Sequence, residues 1–285
     1  MRETVIVNEA VGEIRKEPGH TAEQGSQVVL GTPLTVLRTA DERRWLRVQS
    51  PDGYKGWIRS WAVHPVTRRE LDAFQSGPLV EVDALTARIR SDPSLRGEGL
   101  REATLGVRLP RLGRSGLWIR VELPDGQRGY LHSRDLLVDR KTMRPRPRTR
   151  DLYSVVRAAM RFLGVPYQWG GVTAKGLDCS GLVQTVFHLH GVLLPRDAKD
   201  QFRWARKETY VYREPEAAQF GHLVFFGPSD LAVGHVGISL GNSEFLHARG
   251  RVRINSLLPG NPLFDRDLHR QFRGGSPVLL QQPPG

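Results

Sequence analysis

Cysteine is nearly absent from this 285-residue chain: Cys179 is its only one. A lone thiol excludes an internal disulfide framework, so neither the stability nor the compartment of the protein can be read from cystines. No cysteine-histidine cluster with zinc-like spacing accompanies it, so no metal or other cofactor is expected. No apolar run approaches the ~18 residues that span a bilayer, so no transmembrane helix is expected. Met1 to Ala10 is polar and charged and lacks the apolar stretch of a signal peptide. The expectation is therefore a cytoplasmic protein, or a periplasmic or extracellular one whose signal has been removed. Positive charge is in excess, with a net charge of +12, but the arginines are spread along the chain and no helix-turn-helix or zinc signature goes with them. Nucleic acid is not expected as a partner, while a basic surface suits an acidic peptide. Hydrophobic residues at 39% and charged residues at 25% describe ordinary globular domains with several modest cores.

Cys179 sits where the turn Trp169-Gly170-Gly171 gives way to an apolar-periodic helix. At a helix N-terminus a thiol faces unpaired N–H groups and the positive end of the dipole, which lowers its pKa and favours a nucleophilic thiolate. A buried cysteine acting as a small hydrophobe is the other reading of the same position. His235 opens the run HVGISLGN and His247 ends EFLH, two strand-like segments joined by a Gly-Asn turn. Antiparallel pairing would bring a base at the start of one strand close to an orienting group at the end of the next. Cys179, His235 and His247 thus supply nucleophile, base and orienter, the set that thiol catalysis needs. His188, His190 and His222 are assigned to packing or solvent.

Tyr167-Gln168-Trp169-Gly170-Gly171, DCSGLVQ from Asp178, LPRDAKDQ from Leu194, LVFFG from Leu223, HVGISLGN and FLHA follow one another over residues 151–280. Together they resemble the NlpC/p60 family of cysteine peptidases. The resemblance implies a papain-like α+β core that cleaves bacterial wall peptides, commonly between γ-D-glutamate and a diamino acid. It places the Tyr167 hydroxyl near the oxyanion, with backbone N–H groups around Cys179 as further donors. It also places Asp178 and Ser180 in the pocket for the D-glutamyl carboxylate and neighbouring backbone. Arg196 and Asp197 are read either as substrate contacts or as a helix N-cap with a surface ion pair. One departure is Gly221-His222, where the family usually has Gly-Asp.

Upstream the chain repeats itself. Trp45-Leu46-Arg47-Val48, Pro51-Asp52-Gly53 and Gly56-Trp57-Ile58 recur 73 residues later as Trp118-Ile119-Arg120-Val121, Pro124-Asp125-Gly126 and Gly129-Tyr130-Leu131, and Leu30-Gly31 recurs as Leu105-Gly106. Short β-branched and aromatic runs between Gly, Pro and Asp turns read as small all-β modules. They resemble bacterial SH3-like barrels. The expected order is a first SH3-like barrel over 1–66, a linker or short helix over 67–78, a second barrel over 79–138, an Arg/Pro linker over 139–150, and an NlpC-type α+β catalytic domain over 151–285.

The expected function is a cysteine endopeptidase acting on the γ-D-glutamyl-diamino acid bond of peptidoglycan stem peptides or muropeptides. In resembling enzymes that recycle wall peptides, the first barrel closes the cleft so that only a stem with a free N-terminal L-alanine fits. Tyr54 suits that task, because the second repeat has Gln127 there and the barrel itself does not demand a tyrosine. Glu23 is read either as the carboxylate that pairs with the amine or as a solvated loop charge. Two alternatives stand beside this reading: a wall-binding protein with an inert C-terminal domain, and an amidase or acyl transferase on the same fold.

Overall fold

The computed structural model describes residues 3–139 and 141–280 and divides into two compact units, residues 1–147 and 148–285. The N-terminal unit opens with β1 (Thr4–Val7), β2 (Val11–Arg15), β3 (Gln24–Val29), β4 (Pro33–Ala40), β5 (Trp45–Gln49), β6 (Lys55–Arg59) and β7 (Val63–Val66). These form an antiparallel sheet in the order β3-β2-β6-β5-β4-β1-β7. Alternation along β5 and β6 turns Leu46, Val48 and Ile58 inward onto Val5, Val7, Ile14 and Leu34. The segment read as a linker or a helix is the helix α1 (Arg68–Ser76). Thr67 and Glu70 cap it reciprocally, the Thr67 hydroxyl accepting from the Glu70 N–H at 3.2 Å and the Glu70 carboxylate from the Thr67 N–H at 2.7 Å.

The second copy comprises β8 (Leu79–Glu81), β9 (Thr86–Arg90), β10 (Gly99–Thr104), β11 (Arg108–Ser115), β12 (Trp118–Glu122) and β13 (Arg128–His132), in the order β10-β9-β13-β12-β11-β8. The repeated motif falls on matching elements. Gly53 and Gly126 close the two Pro-Asp-Gly turns with φ of 85° and 81°. Gly56 and Gly129 lie where a Cβ would strike Ile14 in one copy and Ile89 in the other. Leu30 of the first copy is buried in the core of the second, beside Val80 and Leu109, so the two sheets share apolar packing. Polar bonds add to it: Asn8 donates to Asp125 at 2.9 Å, and Arg101 donates to the Asn8 carbonyl at 3.2 Å.

The C-terminal unit has α2 (Leu152–Met160), a hairpin of β14 (Val172–Thr173) and β15 (Gly176–Leu177), then α3 (Cys179–Leu189) and α4 (Ala198–Glu208). Next come β16 (Leu223–Phe226), β17 (His235–Gly241), β18 (Glu244–Arg249), β19 (Arg251–Ser256), α5 (Arg266–Gln271) and β20 (Phe272–Ser276). The sheet runs β19-β18-β17-β16-β20, antiparallel throughout. Cys179, Leu182, Val183, Val186 and Phe187 are buried at helical spacing, which gives α3 one apolar face, and that helix lies against β17. The thiol and the histidine strand are thereby brought to the same layer boundary. No helix among the described residues is long and apolar enough to cross a membrane.

Candidate active site

Asp178 is the N-cap of α3, and both of its oxygens are fully engaged. Oδ1 accepts from the Gly181 N–H at 2.6 Å, from Ser180 Oγ at 3.2 Å and from Arg196 Nη1 at 3.0 Å. Oδ2 accepts from the Gly170 N–H at 2.8 Å and from Arg196 Nη2 at 2.6 Å. Arg196 also donates to Ser180 Oγ at 3.0 Å. Of the two readings of Arg196, the surface ion pair is corrected to a buried one: the arginine is 3% exposed and clamps Asp178 with both guanidinium branches. Side chains on α3 and α4 draw the preceding segment inward, Gln184 donating to the Leu194 carbonyl at 2.9 Å and Gln201 bridging the Pro195 and Ser180 carbonyls at 2.9 and 3.1 Å. The Asp178 carboxylate and the Ser180 hydroxyl, expected to line a substrate pocket, are committed to each other and to this arginine. Asp197 stands at the N-cap position of α4 but its side chain makes no capping bond, so the capping alternative for it is not met. Burial of Asp197 pushes its carboxyl pKa up. Gly181 is required by contact, since a Cβ there would land on the Gly171 carbonyl oxygen. The Gly-rich turn is thus pressed onto the start of α3.

Cys179 is buried, with its sulfur toward the backbone N–H groups of Val236 and Ser180 and 4.0 Å from the Gly234 carbonyl oxygen. Burial pushes the thiol pKa up to about 12, the Asp178 charge adds to it, and the two N–H groups and Arg196 act in the opposite direction. The lowered pKa expected from the helix terminus is thus reversed. A helix end offers at most about 2 kcal/mol in partly buried geometry, whereas full burial shifts a pKa by as much as 3–5 units.

His235 and His247 meet across the β17–β18 hairpin, whose two-residue turn, Asn242-Ser243, has φ of 50° and 60°. His235 Nε2 lies 2.8 Å from His247 Nδ1, with the rings edge to face at 88°. His247 Nε2 lies 2.9 Å from Asn255 Oδ1, and Asn255 Nδ2 donates to the Leu263 carbonyl at 3.1 Å. Burial lowers the His235 pKa to about 3, and the charges of His247, Arg249 and Arg253 push the same way. Burial likewise lowers His247 to about 4, opposed by the Asn255 bond and by Asp265. Burial therefore favours the neutral form of the thiol and of both imidazoles. Tyr167 is tied to the far end of the histidine hairpins by its N–H, which donates to the Gly250 carbonyl at 2.9 Å. Burial and the nearby Cys179 and Asp178 raise its hydroxyl pKa, so the phenol remains a donor.

Of the three histidines assigned to packing or solvent, His188 is exposed, His190 Nδ1 lies 2.6 Å from the Val186 carbonyl oxygen, and His222 Nδ1 lies 3.2 Å from the Tyr212 hydroxyl. Within the N-terminal unit the Tyr54 hydroxyl rests on Gly25 of β3, two residues along the chain from Glu23. Glu23 forms an ion pair with Lys16 at 2.7 Å, so the loop charge is not simply solvated. Asn255 was not among the residues singled out by sequence. The signal for it lay in register: the β18–β19 turn pairs His247 with Arg253, which puts Asn255 on the same face, one diagonal away.

Residues 164–270 match the NlpC/P60 family, and residues 10–64 and 85–136 each match the bacterial SH3 domain. The chain is 30% identical over 247 residues to a gamma-D-glutamyl-L-lysine dipeptidyl-peptidase of Bacillus cereus, an alignment covering 83% of this chain and 70% of that protein. It is 27% identical over 284 residues to dipeptidyl-peptidase 6 of Lysinibacillus sphaericus, covering 92% and 95%. A crystal structure of an NlpC/P60 family protein from Bacillus cereus shares the fold, with a TM-score of 0.78 at 23% identity over 96% of this chain and 99% of that one.

Proposed function

This chain belongs to the NlpC/P60 family of cysteine-type cell-wall peptidases, and from that premise we propose that it hydrolyses the γ-D-glutamyl-diamino acid bond of peptidoglycan stem peptides through Cys179. The observation that carries the reading is the hydrogen-bonded pair His235–His247 at 2.8 Å, with His235 opening the strand β17 whose Val236 N–H faces the Cys179 sulfur. With burial favouring the neutral thiol, the attack is general-base catalysed. Sulfur adds to the γ-carbonyl carbon as His235 takes the thiol proton. The oxyanion is met by the Tyr167 hydroxyl and by backbone N–H groups at the start of α3. The C–N bond breaks as His235 returns the proton to the departing amine of the diamino acid. Water, deprotonated by the same ring, then hydrolyses the thioester and frees the D-glutamyl carboxylate and the thiol.

Asp178, Ser180 and Arg196 act in this scheme by fixing the start of α3. Asp197 is the carboxylate of that segment left without a capping bond, which suits a substrate contact. The preference proposed at the other end of the substrate is for a stem with a free N-terminal L-alanine, and it is assigned to Tyr54 and Glu23. Supporting it are the absence of that tyrosine from the second repeat and the contact of Tyr54 with Gly25 of β3, two residues from Glu23. An ammonium reaching Glu23 competes with Lys16 for it.

The test is product analysis by mass on intact sacculi, sugar-linked stems and free L-Ala-γ-D-Glu-diamino acid peptides. Release of L-Ala-γ-D-Glu from the free peptide, lost in Cys179→Ala, is expected. Release of whole stems from the sugar would replace the peptidase reading with an amidase, and turnover by Cys179→Ala would remove the nucleophile assignment.

A further inference from the structure

We infer that Asn255 sets which nitrogen of His235 is free to take the thiol proton, an inference that rests on the assignment of Cys179 and His235 above. A carbonyl oxygen can only accept, so the Asn255 amide nitrogen faces Leu263 at 3.1 Å and Oδ1 is turned to His247 Nε2 at 2.9 Å. An amide oxygen also only accepts, so His247 Nε2 carries the hydrogen. A neutral imidazole carries one, and burial keeps this ring neutral, so His247 Nδ1 bears a lone pair. His235 Nε2, 2.8 Å away, is then the donor, and His235 Nδ1 is left with the lone pair that a base needs. The opposite assignment at any link would set two N–H groups or two lone pairs against each other at hydrogen-bond distance.

The start of this relay is itself held in place. The Leu263 carbonyl also accepts from the Ser256 N–H at 2.8 Å, and the Leu263 N–H donates to Asn261 Oδ1 at 2.8 Å. Asn261 in turn donates to Glu244 at 3.0 Å. A backbone carbonyl in the segment after β19 therefore fixes an amide, the amide fixes one imidazole, and that imidazole fixes the other. Asn255 is a positioning residue: it acts on the reaction only through His247 and His235. The charged groups that bear on His247 are Arg249 on β18, Arg253 on β19 and Asp265 before α5, and the titratable neighbour is His235 on β17.

Two variants and one spectroscopic measurement test this. In the full chain carrying Cys179→Ala, nitrogen-15 spectra of the histidine rings at pH 7 should show pyrrole-type Nε2 and pyridine-type Nδ1 at both His235 and His247. In the active enzyme, Asn255→Leu should lower kcat by ~10- to 100-fold with little change in KM, because the rings lose their enforced tautomers and orientation while the substrate pocket is untouched. Asn255→Asp keeps an acceptor but adds a negative charge that favours the imidazolium of His247. A charged His247 donates from Nδ1, pushing the His235 hydrogen onto its own Nδ1 and blocking the base. Its kcat/KM should therefore recover toward wild type at alkaline pH while its acid limb moves up by about one unit or more. A merely structural asparagine would not shift that limb. Protonated Nδ1 on His235 in the spectrum of the Cys179→Ala chain, or an Asn255→Asp profile that superposes on that of Asn255→Leu, would overturn the inference. The spectra need no substrate, so they stand whether or not the assignment of the bond cleaved does.

Discussion

In the first SH3 domain Arg15 donates to the Ala22 carbonyl at 2.5 Å, and in the second Arg90 donates to the Gly97 carbonyl at 2.8 Å. The loop each arginine braces starts with the same backbone bond, Lys16 N–H to the Glu23 carbonyl at 3.0 Å and Ser91 N–H to that of Glu98 at 2.9 Å. Glu23 thus recurs as Glu98, but its lysine partner does not, and Tyr54 is replaced by Gln127. On the outer face Arg59 lies over Trp45 at 4.8 Å, where the second copy sets His132 edge-on to Trp118 at 5.0 Å. What is common to two copies of one module is what the module needs to fold. What only one copy carries is free to serve a task, and Tyr54 with the Lys16–Glu23 pair is of that kind. The catalytic unit has no second copy to compare, and there the unshared investment is a buried polar network.

The sharpest way to separate scaffold from task is at Cys179. Cys179→Ala should bring hydrolysis to background while leaving the urea midpoint nearly unchanged, since a small buried side chain is replaced by another. The thiolate absorbance near neutral pH should be the same in wild type and variant, because burial keeps the thiol protonated. A difference between them would show a resting thiolate.

Arg196 is expected to belong to both classes. Arg196→Leu leaves the Asp178 carboxylate buried and unpaired, which costs about 3–5 kcal/mol, together with most of the rate. Restored stability in Arg196→Leu/Asp178→Asn would attribute the loss to the orphaned charge.

Acid should distinguish the two units. Burial lowers His235 to about 3 and His247 to about 4 from an ordinary 6.5, so between those values the unfolded state binds more protons. Stability from each ring is complete above pH 6.5 and is lost as pH falls toward 3, by at most about 1.4 kcal/mol per pH unit per ring. Denaturant midpoints of the catalytic unit should fall over this window and fall less in His235→Gln/His247→Gln, while the SH3 domains, whose cores hold no histidine, change little.

Within the repeats, Gly56→Ala and Gly129→Ala should cost similar amounts, about 1–3 kcal/mol, because each added Cβ meets an isoleucine of the same core position. Unequal costs would mean that the copies are not equivalent at this crossing. The smallest effect is expected at Tyr54→Gln, which makes the first copy resemble the second. It should leave stability within about 1 kcal/mol and reduce the preference for free over N-acetylated stem peptide severalfold, the size of one neutral hydrogen bond. No change in that preference would return Tyr54 to the scaffold.

Much of this molecule is legible in order along the chain. The repeat at an offset of 73, the turn chemistry of Pro-Asp-Gly, the apolar spacing of α3 and the hairpin joining His235 to His247 are local patterns, and local sterics and burial dictate the elements they form. Three matters were settled only by tertiary packing. The thiol pKa depends on how completely α3 is covered, and burial outweighs the helix end that sequence makes visible. Arg196 turns inward because Gln184 and Gln201 draw its segment onto α3, contacts that no spacing announces. Asn255 reaches His247 only because the β18–β19 register sets them on one face, and the direction of the relay comes from a backbone carbonyl eight residues further on. Sequence specifies which groups are present and which lie on one face of a strand or helix. Which charge is buried, and which nitrogen carries the proton, depends on partners that only the folded chain brings within hydrogen-bond distance.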